Sequence, residues 1–201
     1  TRLQGDWSSD VCSSDLLSRV IMDLAEGEIQ QGLNRFDTTL SIDAYLMKSY
    51  YKTASLIANS CKSVGVLSQT SDAMAESFYQ YGRSLGLAFQ IVDDILDFTG
   101  SEEVLGKPAG SDLLSGNLTA PVLYAMEETP YLETLIEREF AQDGDFDEAM
   151  ALVKSSRGIE RSRELAAQHV ERAVENLAGL PQSEPKRALE ALSSYVLSRL
   201  Y

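Results

Sequence analysis

From Leu16 onward apolar residues recur every three to four positions, and the first proline is Pro108. A stretch of that length with helical period and no ring to remove a backbone donor buries its apolar stripes as long helices packed on one another. The spacing predicts helices over 16–35, 42–65 and 71–99, a glycine-rich loop over 100–117, and shorter helices near 120–127, 130–141, 145–155, 158–178 and 184–200. Start signals agree: Ser71 precedes the longest run, Thr129 precedes Pro130, and Ser183 stands two residues before Pro185. There is no alternating Val/Ile/Thr pattern, no internal repeat and no linker, so the expected fold class is all-α, a single helical bundle.

The first fifteen residues do not share this period. TRLQGDWSSDVCSSD holds the only Trp and is rich in Ser and Asp. The run Asp6–Leu16 resembles the in-frame translation of a short sequencing adapter. Residues 1–15 are therefore expected to be a non-native or disordered leader, and residues 16–201 the C-terminal portion of a domain whose natural start, with any targeting signal, has been lost.

Composition narrows the function. With 17 Lys and Arg against 31 Asp and Glu, the net charge is −14, which opposes binding to nucleic acid or to an anionic membrane surface. Two cysteines (Cys12, Cys61) and one histidine (His169) supply neither a disulfide framework nor a Cys/His zinc site, so any metal is expected on oxygen ligands. No segment approaches the ~20 apolar residues of a transmembrane helix.

Chemistry begins in FQIVDDILDF, Phe89–Phe98, where Asp93, Asp94 and Asp97 fall within five residues. At ~100° per residue, Gly86, Gln90, Asp93, Asp94 and Asp97 share one helical face, and Phe78, Tyr81, Leu85, Phe89, Val92 and Leu96 form the expected core stripe. Carboxylates on adjacent turns repel, and no Lys or Arg lies within one turn to offset them. A divalent cation with hard oxygen ligands is the natural compensation, and Mg2+ suits a site that shares ligands with a phosphate. The alternative is a solvated acidic face.

Two further segments bear on that choice. Gly106-Lys107-Pro108-Ala109-Gly110-Ser111-Asp112 can bring backbone N–H groups and an ammonium to a phosphate, though a turn with two glycines is often only a turn. Upstream, Lys48 and Lys52 are spaced i,i+4. Lys48 reads as a solvated side chain. Lys52 precedes the small and apolar TASLIA, which places it inside the bundle, where an ammonium needs an anion.

These residues resemble the trans-isoprenyl diphosphate synthases. FQIVDDILD looks like that family's second aspartate-rich motif, GKPAGSDL like its lysine loop, Lys52-Thr53-Ala54 like its diphosphate-binding Lys-Thr, and GEIQQ (Gly27–Gln31) like its Gly-Glu-x-x-Gln helix. LAEGEIQQ, YYKTASLIANSCK, GSDLLSGNLTAPVL and the terminal YVLSRLY are most similar to long-chain, solanesyl-type synthases of cyanobacteria and plastids. The resemblance implies part of an isoprenoid-synthase helical bundle. It implies a prenyltransferase that ionises an allylic diphosphate with Mg2+ and joins it head to tail to isopentenyl diphosphate. Asp93, Asp94 and Asp97 would hold metal, and Lys52 and Lys107 the diphosphate. Thr53 and Gln90 would position the allylic substrate, and Phe89 would face the isoprenoid. It also implies a homodimer when complete, with residues 16–35 and 42–65 as interface elements, in a bacterial cytoplasm or a plastid.

Two departures stand out. The family's first aspartate-rich motif, its neighbouring arginines and a Gly-Lys-x-x-Arg segment should precede Leu16 and are absent, and many members carry Lys where this sequence has Asn117. Other classes remain: a class I terpene synthase, expected to carry an Asn/Ser/Glu metal motif on this helix, and a non-catalytic partner subunit, expected to have lost Lys52, Lys107 or the aspartates.

Overall fold

The computed structural model describes residues 13–100, 106 and 108–200. Its helices are α1 (Ser13–Leu33), α2 (Ile42–Ser49), α3 (Ser55–Leu67), α4 (Asp72–Thr99), α5 (Ser111–Leu114), α6 (Ala120–Glu128), α7 (Tyr131–Glu137), α8 (Asp145–Ser155), α9 (Gly158–Glu175) and α10 (Glu184–Ser198). No strand occurs among the described residues. Helix α1 begins three residues before the expected start, so Ser13–Asp15 continue its backbone.

Local chemistry sets most boundaries. The hydroxyl of Ser71 accepts from the N–H of Met74, and that of Ser183 from the N–H of Lys186, capping α4 and α10 as expected. Thr129 behaves differently. It closes α6, with its N–H donating to the Ala125 carbonyl, and Pro130 takes the cap position of α7. The expected helix 42–65 is broken in register by a π-helical turn over Tyr50–Ala54, where the Ser55 N–H reaches back to the Tyr50 carbonyl. Such a turn holds more residues than an α turn, so side chains on either side of it lose their i,i+4 alignment.

Helix α4 lies at the centre, packed chiefly against α3 and α9. Covered on two sides, it buries far more than one stripe: Leu87, Ala88, Ile91, Ile95 and Phe98 are buried together with Tyr81, Leu85 and Val92. Phe89, expected in the core, is instead exposed at the edge of the helix, and Leu96 is half-buried. The approach to the π turn is close. A Cβ at Gly86 would lie 2.6 Å from the Ala54 Cα, and one at Gly82 would lie 2.7 Å from the Ile57 carbonyl oxygen. Gly86 lets α4 meet the π turn backbone to backbone and Gly82 lets it meet the first turn of α3, and Thr53 comes to lie beside Gln90.

Candidate active site

Asp93, Asp94 and Asp97 of α4 each meet a different part of the chain. Asp94 is 3% exposed. Its Oδ2 accepts from the Tyr45 hydroxyl at 2.6 Å, and its Oδ1 accepts from Gln90 Nε2 at 2.8 Å. Gln90 in turn accepts from the Thr53 hydroxyl at 2.7 Å. A line of hydrogen bonds therefore runs Thr53–Gln90–Asp94–Tyr45 from the π turn across α4 to α2. Burial pushes the Asp94 carboxyl up to about 7, against the pull of the Tyr45 and Gln90 hydrogen bonds, and the Asp112 charge adds to the rise. Burial, reinforced by the Asp94 charge, also lifts the Tyr45 hydroxyl well above its ordinary range, so Tyr45 remains the proton donor of the pair.

Asp97 is buried and serves the loop that follows α4. It accepts from the Ser111 hydroxyl at 3.0 Å and the Asp112 N–H at 3.2 Å, while its own carbonyl accepts from the Gly110 N–H at 2.8 Å. Gly110 adopts φ +75°, a left-handed turn that only glycine makes cheaply, and α5 starts directly after it. Lys107 lies outside the described residues. Asp93 stands at the rim, and Arg199, at the end of α10, pairs with it at 2.8 Å. The guanidinium also lies 4.7 Å from the Phe89 ring centroid. The positive charge that the local sequence lacks thus arrives from the far end of the chain.

The two lysines exchange their expected roles. Lys48, read as solvated, is 5% exposed and donates to Asn117 Oδ1 at 2.6 Å. Lys52, read as interior, keeps a third of its side chain in solvent, pairs with Glu28 at 3.3 Å and donates to Gln31. Both nevertheless line one cavity, and they differ in how much of the surrounding chain covers them. Gln31 comes from the GEIQQ segment, which brings α1 into the site.

Two adjoining cavities share Gln90, Asp94 and Asp112 as lining. One, of about 120 Å³, is also lined by Gln31, Tyr45, Lys48, Lys52, Asn117 and Thr119. The other, of about 300 Å³, adds Asp93, Asp97 and Arg199. Gln90 and Asp94 thus lie between Lys52, in the smaller cavity, and Asp93 and Asp97, in the larger, with Thr53 bonded to Gln90 and Phe89 at the outer edge under Arg199. Sequence reading missed Tyr45, Lys48, Arg199 and Thr119 as site residues. Asp112 was visible only as the end of the glycine loop. Their shared signal is proximity in space, which a linear pattern does not carry. The donors suit a hard cation, since all are carboxylate oxygens. No group of three His, Cys, Asp or Glu among the described residues is arranged to hold a metal unaided.

An all-helical bundle is the fold of the isoprenoid-synthase prenyltransferases among its structural neighbours. The Polyprenyl synthetase family model matches residues 7–153, and the chain belongs to that family. Over 186 residues it is 60% identical to a prenyl transferase of Synechocystis sp., covering 92% of this chain and 58% of the relative. Over 185 residues it is 50% identical to the chloroplastic solanesyl-diphosphate synthase 2 of Oryza sativa subsp. japonica, covering 92% and 46%. It is similar to the crystal structure of a polyprenyl synthase from Caulobacter crescentus complexed with calcium and isoprenyl diphosphate. That match has a TM-score of 0.86 at 34% identity and covers 94% of this chain and 59% of the other. The chain spans about half the length of the curated relatives it matches. Neither a terpene synthase nor a non-catalytic subunit is favoured by these relatives. No described helix is long and apolar enough to cross a membrane.

Proposed function

We propose that this chain carries the diphosphate-binding side of a prenyltransferase that extends an allylic diphosphate with isopentenyl diphosphate to a long-chain all-trans polyprenyl diphosphate. The observation that supports it best is the line Thr53–Gln90–Asp94–Tyr45, set between the Asp93 and Asp97 carboxylates and the Lys52 ammonium, in a member of the Polyprenyl synthetase family. Mg2+ held by Asp93, Asp94 and Asp97 together with diphosphate oxygens would neutralise the charge that develops on the leaving group.

The protein's own part is electrostatic and positional. Lys52, and Lys107 of the loop, hold diphosphate oxygens. The Thr53–Gln90 pair fixes the allylic end, and Phe89 bounds the isoprenoid side. The allylic C–O bond breaks with its electron pair leaving on diphosphate. The double bond of isopentenyl diphosphate forms the new C–C bond, and the proton lost from the resulting cation passes to the departing diphosphate, so no side chain need be a strong base. Assembly as a homodimer would cover the exposed apolar residues Leu17, Ile21 and Leu24 of α1 and Leu56 and Val64 of α3.

Calorimetry tests the site directly. Mg2+ should bind the chain weakly alone and more tightly when inorganic pyrophosphate is present, because pyrophosphate supplies ligands that the three carboxylates do not. An Mg2+ affinity indifferent to pyrophosphate would sink the proposal. In a chimera carrying the N-terminal part of the Synechocystis relative, Asp93→Ala should cost several orders of magnitude in transfer of label from isopentenyl diphosphate to butanol-extractable product. A loss below about tenfold would demote Asp93 from ligand to bystander.

A further inference from the structure

The smaller cavity holds two buried polar groups to which the reaction above gives no task. Lys48 is 5% exposed, yet its hydrogen bond runs to a neutral amide oxygen, Asn117 Oδ1. The carboxylates that act on it, Asp94 and Asp112, do so through space, and Lys52 repels it. Thr119, 2% exposed, lines the same cavity with a hydroxyl that has no hydrogen-bond partner. It stands at the cap position of the nine-residue α6 and does not cap it. A buried ammonium without a close anion and a buried hydroxyl without a partner are both costly, and here both border one space. An anion with several acceptor oxygens would satisfy the two at once.

Asn117 explains how the arrangement is held. Its oxygen takes the Lys48 ammonium, and its Nδ2 donates to Asp112 Oδ1 at 3.2 Å, so the amide orients Lys48 from the loop side. A lysine at 117 beside Lys48 would set two ammonium groups at contact distance. The two positions can hold one cation between them, and in this chain α2 supplies it.

We propose that Lys48, with the hydroxyl of Thr119, binds a phosphate group of the diphosphate ligand alongside Lys52, and that Asn117 is the positioning residue that holds Lys48 there. This rests on the reading of the cavity as a diphosphate site and adds a cation to it that the motifs do not contain. Lys48 is then a binding residue rather than a buried structural lysine, and the charge can be moved across the Lys48–Asn117 contact without loss of the ligand.

The test is calorimetric titration of the 201-residue chain with inorganic pyrophosphate in the presence of Mg2+. Lys48→Met keeps the apolar stem and should weaken pyrophosphate binding by about tenfold or more, the value of one charge-assisted hydrogen bond. Adding Asn117→Lys in that background should return affinity to within about threefold of the parent, because the ammonium is restored from the other side of the contact. Thr119→Val should weaken binding by a smaller factor with helicity unchanged. If Lys48→Met does not fold, the transposed pair alone decides: affinity near the parent's supports the proposal, and a tenfold loss overturns it. Unchanged affinity in Lys48→Met, with Lys52→Ala weakened, makes Lys48 structural and leaves the cavity reading standing. No pyrophosphate binding by the parent removes both.

Discussion

Asp94 is held in the bundle at a measurable cost in stability, and Asp94→Asn exposes it. A carboxyl raised from 3.8 to about 7 by burial binds a proton in the folded chain that the unfolded chain has already released across that window. Stability therefore falls as pH rises from about 4 to 7, by up to about 4 kcal/mol at ~1.4 kcal/mol for each pH unit crossed. Asparagine removes the charge but keeps one acceptor. It must turn its amide toward Tyr45 or Gln90 and disturb one of the two hydrogen bonds, at a cost of about 1 kcal/mol. The variant should thus be about 3 kcal/mol more stable than the parent at pH 8 and slightly less stable near pH 4.

The difference between the two chains is the quantity to follow, because His169 bends the parent's own curve the other way. Burial, with Arg172 and Arg83 nearby, holds the His169 imidazole down to about 4, so its contribution is present above about 6.5 and is lost as pH falls toward 4. Across most of the acid range the two groups oppose each other, and the parent alone would show little slope from them. Urea denaturation followed by far-UV circular dichroism at half-unit steps from pH 4 to 8 gives both curves. The gap between variant and parent should open through the Asp94 window and level off above pH 7. A gap that stays constant with pH would refute the argument, since Asp94 would then titrate alike in folded and unfolded chains. Mg2+ with pyrophosphate should narrow the gap at pH 8 by stabilising the parent only.

His169 offers the mirror experiment. Both ring nitrogens are buried without hydrogen-bond partners, so His169→Leu should stabilise the chain by up to about 3 kcal/mol at pH 4 and less at pH 8, in the same urea series; a pH-independent effect would count against the assignment. Gly86→Ala forces a Cβ against the Ala54 backbone, and despite the better helix propensity of alanine it should destabilise by about 1–2 kcal/mol and weaken pyrophosphate binding by displacing Thr53 from Gln90. A neutral or stabilising result in thermal unfolding would mean that α4 and the π turn can part without consequence.

The all-helical architecture, the caps at Ser71 and Ser183 and the shared face of Gln90, Asp93, Asp94 and Asp97 were legible in the sequence, because each depends on contacts within one or two helical turns. The Thr129 boundary was misplaced by one residue because Pro130 itself takes the cap position. The two lysines show where such reading stops. Lys48 and Lys52 line one cavity, yet Lys48 is buried and Lys52 keeps a third of its side chain in solvent. No local pattern announces that difference, because it depends on what packs over each side chain. The environment of each carboxylate was likewise decided by tertiary structure: Tyr45 reaches Asp94 across 49 positions of sequence, and Arg199 meets Asp93 from the last helix. Helical period and capping are local balances of hydrogen bonding and backbone entropy. Whether a charge is buried, and what faces it, depends on which distant helices exclude water from it, and that is settled only when the helices pack.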